Sequence, residues 1–462
     1  VQNRVKSNAL VKGKRKMPKE KSSIRKRAAR YAKVSSSMAN FGARAAGQKL
    51  LGLDPDRQKQ AERLRKALGG LKGPLMKVAQ ILSTIPDAVP KEYAMELAQL
   101  QSDAPPMGWP FVRRRMASEL GPDWEAKFKS FEHEASAAAS LGQVHKAVGH
   151  DGTLLACKLQ YPDMASAVEA DLGQLKMVLK VFEYYDRAVS TQKVQQEIAD
   201  RLREELDYER EAKHMRLYGM MHGGIENTVH IPKPIAALST ERLLTMTWLQ
   251  GDRLVDIAEK KSLKDRNTVA INMFHAWYTP FYAYGVIHGD PHLGNYSVRK
   301  DLSINLLDYG CVRVFKPELV SGVITLYEAL RDGREEMAVE AYKAWGFINP
   351  SKRLVEILNI WARFIYAPLL EDKIRSIDET NTGLYGRETA NKVHEELRKI
   401  GGVSVPREFV FMDRAAIGLG SVFLRLNAEI NWYRMFHDLI RDFDVKALEK
   451  RRAKALKTCG LA

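Results

Sequence analysis

The sequence predicts an α+β fold in two lobes, a small antiparallel sheet and a largely helical lobe after it, with a helical extension ahead of both. Three observations carry that expectation. Residues 143–160 read as strand, turn and strand, residues 190–222 read as a long polar helix able to pack on such a sheet, and the text after Asp308-Tyr309-Gly310 runs straight into a helix. The composition allows it: 462 residues, 45% hydrophobic and 28% charged, are globular and long enough for one bilobal core or two domains. Three cysteines without CxxC spacing argue against a disulfide framework or a structural zinc site and for a reducing compartment. No window approaches the roughly 18 uninterrupted apolar residues of a spanning helix, and the N-terminus lacks the apolar core of a signal peptide.

The net charge of +17 is concentrated at the start, where residues 1–33 hold 13 Lys and Arg against the single acid Glu20. That segment is expected to be a flexible basic arm. Its composition leaves two readings open, a solvated tail or an anionic membrane surface as partner; nucleic acid is disfavoured because Tyr31 is the one stacking residue present. Residues 34–110 are expected to form a helical extension. Leu64, Leu68, Leu71, Leu75, Val78 and Leu82 alternate spacings of four and three, the period of an amphipathic helix. Gly69, Gly70 and Pro74 interrupt it, so the pattern predicts a helix, a break near 69–73 and a second helix with Pro74 in its first turn. Lys77 and Gln80 share a face of that second helix. The Pro-rich stretch 102–110 closes the extension.

Residues 111–250 form the sheet-bearing lobe with inserted helices. "ASAAASLGQVHKAVGHDGTLLACKLQYP" reads as a small-residue loop containing Ala137, Ala138, Ala139 and Ser140, a strand from Gln143 to Val148, a turn at Asp151-Gly152, and a second strand from Leu154 to Gln160. A hairpin with small residues at one end suits backbone laid against a phosphate chain. Lys158 stands inside an apolar strand: either it lies on an edge and points to solvent, or it is held for phosphate oxygens and an acidic mate. The mate would come from the polar helix at 190–222, where Glu205, Asp207 and Glu211 are candidates; an extra helix at about 163–186 separates the two.

Residues 251–462, the helical lobe, open on the most informative stretch, "GVIHGDPHLGNYSV". Asp290 is followed by Asn295 and then by Asp308 in "NLLDYG", with a strand on either side of "RKDLS" between them. Phosphoryl transfer asks for this set: a carboxylate beside the nucleophile, an amide and a second carboxylate for metal ions, and a lysine for the nucleotide phosphates. The order and spacing match the catalytic and metal-binding loops of protein kinases, so a protein-kinase-like fold is expected. Two features depart from most protein kinases. Gly289 replaces the usual Arg, giving the His-Gly-Asp form of aminoglycoside and choline kinases, and no Ala-Pro-Glu segment follows Gly310, which leaves little room for an activation loop.

From about residue 35 to 450 the chain resembles the UbiB, or ADCK, family of atypical kinases. "LMKVAQILS" is similar to that family's KxGQ helix, with Ala79 in place of its Gly; "ASAAASLGQVHKA" is similar to its Ala-rich replacement of the Gly-rich loop; "EELDYEREA" is similar to its ExD motif, carried by Glu205 and Asp207. "HGDPHLGN" and the stretch from Arg407 to Phe436 resemble it too. The resemblance implies that Lys158 pairs with Glu211, that the KxGQ helix lies over the nucleotide cleft, and that Lys77 meets the ExD acids. It further implies ATP or ADP and Mg2+ as cofactors, with Asn295 and Asp308 on the metal, and a link to ubiquinone biosynthesis.

Together these readings lead to an atypical kinase or ATPase of isoprenoid-quinone or related lipid metabolism. Alternatives are a small-molecule kinase, which the helical extension and the ExD pair disfavour, and a nucleotide-binding scaffold without turnover. A lipid or quinone-precursor ligand, biosynthetic-complex proteins and the cytoplasmic face of an anionic membrane are the further partners and location expected.

Overall fold

The computed structural model describes residues 107–139, 141–185, 191–223, 228–378, 386–401, 403 and 406–462. The basic arm, Lys77, Gln80 and the rest of the extension up to residue 106, together with Ser140, lie outside the described residues.

Helix α1 (Trp109–Leu120) opens with Pro110 in its first turn and buries Val112 and Met116. Four strands follow in sequence, β1 (Ser130–Phe131), β2 (Ala137–Ala139), β3 (Gly142–Val148) and β4 (Leu154–Gln160). After β5 (Val229–His230), which joins a second sheet, β6 (Leu243–Thr247) completes the first, in the order β1-β3-β4-β6 with β2 also on β3. All these pairs are antiparallel. The turn between β3 and β4 forms because Gly152 adopts φ +83° and the Asp151 carboxylate accepts the Thr153 backbone N–H at 2.9 Å. Strand β4 is covered on both sides. With a side-chain period of two, Leu155, Cys157 and Leu159 pack into the cluster of Val112, Met116 and Trp124, while Ala156, Lys158 and Gln160 face the other way. Lys158 pairs with Val144 on one side and Leu244 on the other, so it sits on an interior strand, not an edge.

Two expectations change here. Ala137–Ala139, read as loop, is a short strand registered on Val144, Gln143 and Gly142; backbone pairing overrides alanine's weak preference for strands. The single helix expected over 190–222 is two helices, α3 (Thr191–Glu204) and α4 (Tyr208–His222), preceded by α2 (Met164–Tyr185). Gln160 donates to the Leu206 carbonyl at 2.6 Å, and Asp207, outside helical φ/ψ, caps α4 by accepting the Arg210 N–H at 2.8 Å.

The helical lobe begins with β7 (Asp252–Arg253), α5 (Leu254–Lys260) and α6 (Leu263–Tyr284). Ser262 caps α6, and Gly285, left-handed at φ +66°, ends it and turns the chain into β8 (Val286–His288). Then come β9 (Tyr296–Val298), β10 (Ile304–Leu306) and β11 (Val312–Val314). A four-stranded sheet runs β5-β10-β9-β7 and a two-stranded one pairs β11 with β8. Strand β11 intervenes where the sequence was expected to pass directly into helix. The remaining helices are α7 (Pro317–Asp332), α8 (Glu335–Ala344), α9 (Lys352–Tyr366), α10 (Arg387–Lys399), α11 (Arg407–Leu426), α12 (Trp432–Ile440) and α13 (Val445–Thr458). They close on an aromatic core that includes Trp277, Tyr327, Trp432 and Phe436.

Candidate active site

Lys158 leaves the inner face of β4 and meets two carboxylates: Glu211 of α4 at 2.7 Å and Asp308, just after β10, at 2.9 Å. Glu211 is 2% exposed at its side chain, Asp308 31%. The Tyr208 ring lies under the ammonium at 5.2 Å. Burial alone would drive the Lys158 ammonium down, but the charges of Asp308 and Glu211 outweigh it and hold the amine well above its ordinary value. For Glu211 burial is the dominant force and pushes the carboxyl up to about 7, with Lys158 opposing and Asp308 reinforcing the shift. The cluster is thus one cation between an enclosed acid and an open one.

The opposite wall comes from the loop after β8. His288, 1% exposed, binds the backbones of both aspartates: Asp290 N–H donates to its Nδ1 at 3.3 Å, and its Nε2 lies 2.6 Å from the Asp308 carbonyl. An Nδ1 that accepts requires the proton on Nε2, so this imidazole is the neutral tautomer donating to Asp308. The Asn295 side-chain amide donates to the Asp290 carbonyl at 3.1 Å and Tyr296 reaches the same oxygen at 3.4 Å, which fixes the loop's curl. The glycine at 289 has a steric reason. Its N–H donates to the Cys311 carbonyl at 2.6 Å, and a Cβ there would lie 2.7 Å from Cys311 Sγ. The β8–β11 pairing leaves an arginine no room.

Helix α4 also holds the Asp308-Tyr309-Gly310 turn. Tyr309 N–H points to Glu211 at 3.4 Å, His214 Nδ1 lies 3.2 Å from the Tyr309 carbonyl, and Asp308 accepts the Gly310 N–H at 3.0 Å. Burial pushes the His214 imidazole down to about 4, so it acts as a neutral group. Glu205 packs beside the same turn: a Cβ on Gly310 would stand 3.7 Å from its Cγ. Asp207 is exposed and serves as the α4 cap. Ala137 shares its row of the sheet with Val144 and Lys158, so all three side chains project from one face.

The structure therefore brings Lys158, Glu211 and Asp308 into one cluster, sets Asp290 and Asn295 on the adjoining loop and Glu205 beside the turn. Among the described residues no group of three or more His, Cys, Asp or Glu forms a metal cage. Sequence reasoning missed His288, His214 and the Glu204 carboxylate, which receives Arg313 at 2.6 Å and Arg210 at 3.0 Å and so ties α3 to β11 and α4. The histidine directly before Gly289-Asp290 was the available signal for the first of these; the others depend on tertiary contacts that no local pattern marks.

An Arabidopsis thaliana protein described as an uncharacterized chloroplastic aarF domain-containing protein kinase is 31% identical over 61% of this chain and 40% of its own length. The mitochondrial atypical kinase coq-8 of Caenorhabditis elegans is 28% identical over 63% of the chain and 39% of its length, and the mitochondrial atypical kinase COQ8 of Saccharomyces cerevisiae 25% over 82% and 75%. The chain thus spans about two fifths of the length of the first two. A Mycobacterium tuberculosis protein solved with erythromycin superposes with a TM-score of 0.58 at 24% identity, covering 86% of this chain and 98% of that one, which shows the shared protein-kinase-like fold. Residues 99–341 match the ABC1 atypical kinase-like domain, more than half of the chain, and the protein belongs to that family.

Proposed function

We propose that this chain is an atypical kinase or ATPase that binds a magnesium nucleotide, ATP or ADP, between the sheet and the Asp290 loop, and that it works in isoprenoid-quinone or related lipid metabolism. The single observation that carries the reading is the Lys158 ammonium held between Glu211 at 2.7 Å and Asp308 at 2.9 Å. A buried lysine aimed at an open carboxylate is poised to exchange it for phosphate oxygens. Asn295 and Asp308 are the donors for Mg2+. Because Asn295 spends its Nδ2 on the Asp290 carbonyl, its oxygen is the end left for a cation. Two protein ligands suit an ion that takes its other oxygens from phosphates and water. When bound, the ion neutralises phosphate charge. Asp290 is the carboxylate placed for an attacking hydroxyl or water.

The methyl groups of Ala137, Ala138 and Ala139 keep backbone farther from phosphates than glycine would, which favours a nucleotide preference unlike that of protein kinases. Lys77, Gln80 and Glu205 belong to the cover over the cleft in this reading, and Ser140 to the phosphate end of the hairpin; the family resemblance alone supports these roles, as it does the quinone link. The 13 cations of residues 1–33 support a peripheral, salt-sensitive attachment to anionic lipid. Phosphate release from Mg-ATP tests turnover: it is expected with the wild-type chain and lost in Asp290→Asn. Equal release by the two proteins removes Asp290 from the chemistry, and binding without release by either assigns the chain a scaffolding role.

A further inference from the structure

Strand β3 turns Gln143, His145 and Ala147 to the face of the first sheet that lies away from Lys158, alongside Leu155, Cys157 and Leu159 of β4. There Gln143 is 1% exposed and His145 0%. Polar groups buried this deeply need partners, and one bond fixes the direction of all the others. His145 Nδ1 lies 2.9 Å from the Glu132 carbonyl, which can only accept, so the ring proton is on Nδ1 and Nε2 offers a lone pair. Gln143 fills that acceptor with its amide nitrogen, 2.7 Å from Nε2. With the nitrogen end committed to the ring, the amide oxygen accepts the Met107 N–H at 2.7 Å, and the second amide proton reaches the Met107 carbonyl at 3.3 Å. One side chain therefore holds Met107 by both of its backbone groups, as a neighbouring strand would.

A second proton on His145 turns Nε2 from acceptor to donor and sets N–H against N–H. Either the amide keeps Met107 and leaves the ring proton unmet, or it turns its oxygen to the ring and gives up the Met107 N–H. An unmet charged donor costs more than a released neutral one, so the amide turns. The groups around the ring set when this happens. Burial, the largest influence, holds the imidazole below its ordinary value against the Glu132 carbonyl and the Glu132 charge, and the His133 charge reinforces burial. Cys157, opposite on β4, stays a neutral thiol, burial pushing it up to about 12. Phe131 stacks on the ring at 5.4 Å and brings no charge. On α1, Arg115 is matched by Glu119 at 3.2 Å, and Glu125 and Lys127, ahead of β1, are both exposed. Across β3, the partner of Gln143 on β2 is Ala138.

We propose that His145 and Gln143 form a proton-sensitive latch: with the ring neutral the amide clamps Met107 to β3, and protonation releases the clamp, freeing the point at which the preceding chain joins the lobe. The inference is independent of nucleotide binding.

The test uses the full chain with isotope-labelled methionine and histidine, the Met107 amide being assigned by its loss in Met107→Leu. Between pH 8 and pH 5 that amide should move upfield, as a released hydrogen bond does, with one midpoint below 6.5 shared with the His145 ring. His145→Gln, whose amide can serve Glu132 and Gln143 without titrating, should hold Met107 at its pH 8 position throughout. Gln143→Leu should place it at the released position at every pH. His133→Gln, which removes the ring stacked on Trp109 at 3.8 Å, should leave the titration in place. A wild-type amide that does not move, a clamped position kept in Gln143→Leu, or a titration that persists in His145→Gln or vanishes in His133→Gln overturns the latch. Stability gives a second reading. The folded imidazole binds its proton less readily than the unfolded one, so wild-type stability should fall as pH drops below about 6.5, and His145→Gln should lose less. Equal losses in denaturant melts at pH 7 and pH 5 would overturn the latch as well.

Discussion

The sheet-bearing lobe and the helical lobe bury opposite kinds of chemistry. Between β4 and α4 lie Lys158 and Glu211, a fully enclosed ion pair with the half-open Asp308 beside it. In the helical lobe Trp432, 1% exposed, packs its ring 4.7 Å from Phe423 and donates its indole N–H to the Arg375 carbonyl at 3.0 Å. Rings of this kind stabilise by the area they remove from water. The ion pair has no such margin, because the desolvation of two charges offsets their attraction. A chain that keeps charges where apolar groups would hold the lobe as well keeps them for what they bind.

The contrast can be broken from either side. The largest loss is expected from Trp432→Ala, which removes a fully buried ring and should cost about 4 kcal/mol. No titrating partner is involved, so the same loss should appear in denaturant melts at pH 6 and pH 8. Lys158→Met should cost about 3 kcal/mol at pH 8, since it leaves Glu211 buried beside Asp308 without a cation. Here the loss should depend on pH. The folded Glu211 carboxyl is already raised to about 7 from an ordinary 4.5, so the native state binds the extra proton between those values and stability falls as pH rises through them. Removing the ammonium, which opposes that shift, raises the carboxyl further. The wild-type-minus-variant difference should therefore be smaller at pH 6 than at pH 8. A difference as flat as that of Trp432→Ala would mean that Glu211 does not take up the proton.

The smallest effect sharpens the comparison most. Lys158→Met combined with Glu211→Leu replaces the pair by apolar groups of similar size and should return stability to within about 1 kcal/mol of wild type. Denaturant melts of the four-member cycle give the coupling energy directly. A double variant no more stable than Lys158→Met would show that the pair itself holds α4 to the sheet.

How much of this was legible depended on whether the cause was local. Strands β3 and β4 and the turn at Asp151-Gly152 follow from alternation and a glycine with positive φ, and both strands lie within a residue of the expected bounds. The break between α3 and α4 was hidden because the charged periodicity runs through Glu205 and Asp207, whereas its cause, Gln160 donating to the Leu206 carbonyl, comes from 46 residues away. Strand β2 was hidden for the converse reason, three alanines with little strand preference made extended by a partner. In the site, Lys158, Asp290, Asn295 and Asp308 stood out by type and order, and Glu211 by family resemblance. His288 did not, since its role lies in the Asp308 carbonyl it binds across 20 residues.

The central claim, that the Lys158 cluster is a nucleotide site, is tested most directly by the melting temperature with and without Mg-ADP in wild type and Asp308→Asn. That substitution removes the open carboxylate and leaves the 2.7 Å Lys158–Glu211 pair in place. At a nucleotide concentration of about 100 Kd, binding should add about 2.7 kcal/mol to the wild-type protein and raise its melting temperature by several degrees. Asp308→Asn should melt cooperatively and show no magnesium-dependent rise. An equal rise in both proteins, or none in the wild type, would contradict the account.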